Sequence, residues 1–106
     1  MSSSRSSAPK TRFAVYPLRA VERAVEREKQ SWELRGQGPS QLPPELARAG
    51  ELLASHPHAG HRARGRRYKL TLGRTNFAIY YVVDESARIV LIFGLLHGRH
   101  RRASPR

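Results

Sequence analysis

The sequence predicts an α+β domain in which two helices pack on one face of an antiparallel β-sheet. The prediction rests on a change of period: hydrophobic residues recur with the helical period before Ser55 and with the strand period after Arg66. With 106 residues, the chain has the usual size of a single domain with one core. We expect residues 12–102 to form this domain, between a disordered basic tail at residues 1–11 and a frayed tail at residues 103–106.

A strand followed by a helix is predicted at the start of the domain. Residues 12–16 place Phe13 and Val15 on one face, and Pro17 is expected to stop the strand. From there the period becomes helical, and the apolar stripe of this helix consists of Leu18, Val21, Val25 and Trp32. We expect the indole of Trp32 to anchor the helix end in the core.

A second helix is predicted after the glycine- and proline-containing break at residues 36–40. Pro43 and Pro44 are tolerated there because the amides of a first helical turn have no partner within the helix. The apolar stripe of this helix consists of Leu46, Ala49, Leu52 and Leu53. Since the connection is short, we expect an antiparallel helical hairpin, followed by a loop at residues 57–65.

The last third of the chain predicts an antiparallel three-stranded meander. Its strands are residues 67–72, 77–83 and 89–96, separated by turns at residues 73–76 and 84–86. The last strand is apolar on both faces. One pair of helices can cover only one face of such a sheet, so the other apolar face is expected to contact a loop, a second copy or a partner.

Positive charge is concentrated in the predicted sheet. The formal net charge is +12, of which residues 1–21 contribute +4, residues 22–51 contribute −1 and residues 52–106 contribute +9. A charge of this size attracts polyanions and acidic protein surfaces. The sheet is therefore the expected binding region.

The sequence offers no metal, cofactor or membrane signal. It has no cysteine, which excludes disulfides and thiolate zinc sites. The spacing of His56, His58 and His61 is not that of a helical pair of ligands, so we expect a solvated loop without metal or cofactor. The longest apolar run, residues 89–96, is far shorter than a membrane span, and residues 1–10 lack a secretory hydrophobic region. We expect a cytoplasmic protein that does not bind membranes.

Several local sequences occur in the order expected of a known superfamily. They are Phe13-Ala-Val-Tyr16, Trp32, Leu46 to Leu53, Pro57-His-Ala-Gly60, Phe77-Ala-Ile-Tyr-Tyr-Val-Val-Asp84 and His97-Gly-Arg99. Together with the order strand, helix, helix, meander, they resemble the RelE/ParE superfamily of bacterial type II toxins over about residues 12–102. The resemblance implies the fold of that superfamily, and a toxin that is neutralised by a cognate acidic antitoxin in a hetero-oligomer.

The resemblance implies two alternative targets. ParE-like toxins poison DNA gyrase, whereas RelE-like toxins cleave mRNA in the ribosome. The Trp32 helix and residues 46–60 look more like the ParE branch. RelE-type nucleases typically carry several lysines and a tyrosine near the C-terminus, but here Lys69 is the only lysine after Lys29 and no aromatic residue follows Phe93. We therefore favour a non-enzymatic, gyrase-directed toxin.

Two other hypotheses remain open at this point. One is a RelE-like, metal-independent and ribosome-dependent mRNA endonuclease, in which His97 or His100 would titrate near the useful pH. The other is a non-toxic homologue that binds nucleic acid or protein. No catalytic residue is assigned from the sequence.

Six residues are candidates for target binding or activity: Arg67, Lys69, Arg74, Tyr80, His97 and Arg99. Arg67 and Lys69 share a strand face, and Arg74 lies in the turn that follows. The end of the last strand, with His97 and Arg99, is expected beside the start of the preceding strand. Adjacent tyrosines point to opposite faces of a strand, so one of the pair at 80 and 81 is expected in the core and the other on the working surface.

Overall fold

The computed structural model describes residues 12–97 and contains two helices and one five-stranded sheet. The helices are α1 (Arg19–Leu34) and α2 (Leu42–Ser55). The strands are β1 (Ala14–Pro17), β2 (His61–Arg62), β3 (Arg67–Leu72), β4 (Phe77–Asp84) and β5 (Ile89–His97). The predicted α+β class is confirmed.

The strands follow the order β1-β5-β4-β3-β2 across the sheet. Strands β3, β4 and β5 form the predicted antiparallel meander, and β1 joins it in parallel to β5. β1 ends at Pro17, one residue beyond the predicted strand, and Pro17 pairs with Ile92. Proline is acceptable here because β1 is an edge strand. The predicted loop at residues 57–65 is wrong in part, since it contains the short strand β2 at the opposite edge.

The hydrophobic core lies between the two helices and one face of the sheet. Its buried residues are Val21 of α1, Leu42, Ala49 and Leu53 of α2, and Leu72, Phe77, Ile79, Tyr81, Val90 and Ile92 of the sheet. The predicted stripe of α1 is wrong at both ends. Leu18 is the N-cap residue and is exposed, and the Trp32 side chain is 37% exposed, with the Arg35 guanidinium 6.0 Å from the centre of its ring.

A β-bulge divides β5 into two parts. Tyr80 pairs with Gly94 and Tyr81 pairs with Ile92, so Phe93 is the extra residue. A bulge reverses the alternation of side chains beyond it. Leu95 therefore packs against the core, on the same side as Ile92, although simple alternation predicts it on the other face.

A buried carboxylate fastens the β3–β4 turn to α2. Glu45, which is 8% exposed, accepts hydrogen bonds from the Arg74 amide at 2.7 Å, the Thr75 amide at 2.9 Å and the Thr75 hydroxyl at 2.7 Å. Burial raises the pKa of this carboxyl, but the hydrogen bonds from Arg74 and Thr75 outweigh it, so the pKa lies below the ordinary value of 4.5. The contact therefore stabilises the fold with Glu45 ionised.

Glu45→Gln should lower the free energy of unfolding by about 1–3 kcal/mol, because an amide replaces a charged acceptor and brings an N–H group towards backbone donors. The stability that Glu45 adds is fully present above about pH 4.5 and is lost as the pH falls through its lowered folded-state pKa. Urea unfolding at neutral and at acidic pH measures both effects. Glu51→Gln on the same helix is the control, since its ion pair with Arg12 is exposed, and it should cost about 0.5 kcal/mol or less. Equal losses in the two variants would contradict this role of Glu45.

Candidate functional site

The face of the sheet opposite the helices is the candidate site and is called the open face below. The strand registers place these residues on it: Tyr16, Arg67, Lys69, Ala78, Tyr80, Val82, Leu91 and Phe93. Lys69 lies opposite Tyr80, and Arg67 lies opposite Val82. Cations of β3 thus border an apolar and aromatic surface formed by β4, β5 and β1.

Aromatic rings form the centre of the open face. The rings of Tyr80 and Phe93 lie 6.4 Å apart, and the Arg67 guanidinium lies 5.7 Å from the centre of the Phe93 ring. At this distance the cation is attracted to the ring face. Tyr16, on the edge strand, is 53% exposed. The surface can therefore offer a partner both flat rings and positive charge.

The two adjacent tyrosines divide as the sequence predicts, with Tyr81 in the core and Tyr80 on the open face. Tyr81 is fully buried, stacks on Tyr68 with ring centres 5.3 Å apart, and accepts a hydrogen bond from the Gly60 amide at 2.9 Å. Burial raises the pKa of the Tyr81 hydroxyl. Tyr80, which is partly exposed, is the member of the pair that can contact a partner.

The other candidate residues do not lie beside the aromatic rings and cations of the open face. Arg74 lies in the β3–β4 turn, at the far end of β3 from Arg67. His97 pairs with Phe77 at the start of β4, as predicted, and its ring meets the Phe77 ring edge-on at 4.7 Å. Because Phe77 belongs to the core, His97 lies on the helix side of the sheet, about 17 Å along β4 from the Arg67 pairing. Arg99 and His100 lie outside the described residues.

The sequence did not identify two residues of the open face, Tyr16 and Phe93. Alternation with Phe13 and Val15 leaves Tyr16 on the other face of its strand, but nothing in the sequence shows that β1 lies beside β5. Phe93 is the bulge residue, and the only signal was Gly94 inside an otherwise apolar strand. The long-range pairing of β1 with β5 brings both to the open face.

Residues 12–97 contain no group of three or more His, Asp or Glu side chains placed to hold a metal ion. Within the same part of the chain, neither helix is long and apolar enough to cross a membrane. His58 instead forms an ion-pair contact with Glu85, with His58 Nε2 and Glu85 Oε2 2.8 Å apart.

The sequence matches no protein-family model and no curated protein. Among solved structures, the fold is similar to that of the E. coli toxin RelE, in a mutant with two arginines replaced by alanine and in complex with a peptide of the antitoxin RelBc. The two chains share 21% sequence identity, with 91% of this chain and 97% of that chain covered and a TM-score of 0.48. A likeness of this size assigns neither a family nor a function.

Proposed function

We propose that this protein is the toxin of a type II toxin–antitoxin system of the RelE/ParE type. The proposal rests on the motifs quoted from the sequence and on the open face. A sheet that is covered by helices on one side and presents rings and cations on the other suits a protein whose activity depends on a partner. The acidic antitoxin would cover this surface. Burial of apolar side chains would supply binding affinity, and opposite charge would speed association and fix the alignment of the two chains.

The proposed action is binding to DNA gyrase. The supporting observation is the separation of the candidate residues. Metal-independent RNA cleavage needs a base, an acid and cations around one phosphate. His97, one of the two histidines considered for proton transfer, lies on the helix side of the sheet, whereas Arg67 and Lys69 lie on the open face. This arrangement favours inhibition by binding over catalysis.

A ribosome-dependent mRNA endonuclease is the second candidate. It is favoured by the pairing of Lys69 with Tyr80, which brings a cation and a partly exposed phenol to neighbouring positions. Both side chains suit contact with RNA, the first with phosphate and the second with a base. A homologue that binds without toxicity remains the third outcome.

If gyrase is the target, cells that express the chain should form filaments and induce a DNA-damage response, and the purified protein should inhibit DNA supercoiling by gyrase. Co-expression of the acidic partner, the antitoxin that we expect in the adjacent reading frame, should restore normal division. The supercoiling assay with and without that partner is the measurement. Rapid arrest of translation with mRNA cleaved in ribosomal A sites, and normal supercoiling, would instead establish the endonuclease.

A further inference from the structure

A second concave surface lies outside the candidate site, where the segment after α2 meets the β4–β5 turn. This cleft has a volume of about 860 Å³. Four of its lining residues come from the chain between α2 and β4: His58, Arg62, Arg66 and Tyr68. The facing wall is formed by the end of β4 and the turn, including Asp84 and Glu85.

The segment that carries His58 is held in place by a close contact with the sheet. The Gly60 amide donates to the Tyr81 hydroxyl, and a Cβ atom at Gly60 would lie 2.5 Å from the Lys69 carbonyl oxygen. Only glycine allows this approach. Pro57 is buried beside it. The wall of the cleft is therefore a fixed part of the fold.

The two acidic side chains of the cleft already have partners. Asp84 accepts hydrogen bonds from the Ala87 amide at 3.1 Å and the Ser86 hydroxyl at 3.0 Å, and these bonds hold its pKa below the ordinary value. Glu85 contacts His58 at 2.8 Å. Arg66 also lowers the pKa of the Asp84 carboxyl, so an anion that enters the cleft competes with Asp84 for Arg66 and meets Arg62 on the same wall.

The opposite wall combines positive charge with a ring. The Arg62 guanidinium lies 5.8 Å from the centre of the Tyr68 ring, and its Nε donates to the Gly65 carbonyl at 3.4 Å. Arg66 lines the same cleft. Guanidinium groups bind phosphate, and planar guanidinium and phenol groups both stack on nucleobases.

The cleft continues onto the open face. Val82 lines the cleft and also pairs with Arg67, whose side chain belongs to the open face. Arg66 ends the turn before β3 and lines the cleft, and Arg67 is the first residue of β3, so consecutive residues carry positive charge from the cleft to the open face. A single strand seated in the cleft can therefore extend along the margin of the open face.

We propose that this cleft binds one nucleotide of a single-stranded nucleic acid, with its phosphate on Arg62 and Arg66 and its base against the Tyr68 side of the cleft. The proposal goes beyond the binding of gyrase and of the antitoxin, neither of which requires this cleft. Binding can be measured on the purified chain whether or not the chain is toxic.

The test is fluorescence anisotropy with short labelled oligouridylate RNA and oligothymidylate DNA at physiological salt. Arg62→Gln/Arg66→Gln should weaken binding of the preferred strand at least about tenfold and reduce the salt slope by about 0.7, the value for one phosphate of a single strand. Arg23→Gln/Arg27→Gln on exposed positions of α1 removes the same charge and should weaken binding about twofold or less. A preference for RNA or for DNA identifies the natural strand, and either supports the cleft.

Competition tests the part of the proposal that concerns the base. Uridine or thymidine monophosphate should displace the labelled strand at a lower concentration than inorganic phosphate does. Photo-crosslinks from a thio-substituted base should map to the segment from Arg62 to Tyr68. Equal losses in the two double variants, equal competition by phosphate alone, or crosslinks confined to the open face would each overturn the proposal.

Discussion

Replacing Arg67 and Lys69 together with glutamine should abolish growth arrest and weaken binding of the acidic partner by roughly 100-fold or more. Each charge-assisted contact is worth about 1.5–3 kcal/mol when well formed, so the loss of two amounts to about 3–6 kcal/mol. The two side chains border the aromatic surface of the open face, where Arg67 also lies over the Phe93 ring. The double variant removes charge from the surface that we propose the antitoxin and the target share.

The matched control is the double variant Arg23→Gln/Arg27→Gln on α1, which lowers the net charge equally. Both of its positions are exposed, and it should retain growth arrest and partner binding. Each surface substitution should change the free energy of unfolding by only about 0.5 kcal/mol, so soluble levels and unfolding curves of the two variants should be similar. Equal loss of activity in both variants would move the working surface to the helices.

Gly60→Ala should destabilise the protein by about 2–4 kcal/mol, because among the glycines of residues 12–97 this one leaves the least room for a methyl group. The added Cβ would lie 2.5 Å from the Lys69 carbonyl oxygen and 2.8 Å from the Tyr81 hydroxyl. The segment must then move away from β3, which breaks the hydrogen bond from the Gly60 amide to Tyr81. Urea or thermal unfolding measures the loss.

Gly50→Ala is the control for this prediction. Gly50 lies inside α2, and apart from its chain neighbours and the nearby backbone of its own helix no atom lies within 4 Å of the position of an added Cβ. Alanine is the better helix former, so this change should be neutral or should stabilise the protein by about 0.4–1 kcal/mol. If Gly60→Ala were as harmless as Gly50→Ala, the close contact between this segment and β3 would not exist.

The spacing of hydrophobic residues predicted most helices and strands well. A helix or strand that is buried on one face repeats its apolar residues with its own period, so the spacing reveals the element. The strand β3 occupies Arg67–Leu72, as predicted, and β4 and β5 each extend one residue beyond their predicted ends. The strand β2, at His61–Arg62, is exposed at both residues. It therefore carries no hydrophobic pattern that could have revealed it.

The candidate site was predicted in part, and the bulge in β5 explains the rest. Alternation alone correctly places Arg67, Lys69 and Tyr80 on one face. It also places His97 on that face, in step with Leu91 and Phe93. The extra residue at Phe93 reverses the alternation, so His97 meets Phe77 on the helix side instead. A bulge depends on how two strands pair, which the sequence of one strand does not encode.

The viable count of bacteria after induction of this chain, with and without its neighbouring acidic partner, tests the central claim most directly. Soluble protein is quantified in the same cultures. We predict that the viable count falls when the chain is expressed alone and recovers when the partner is co-expressed. Unimpaired growth with abundant soluble and folded protein would contradict the claim that the chain is a toxin.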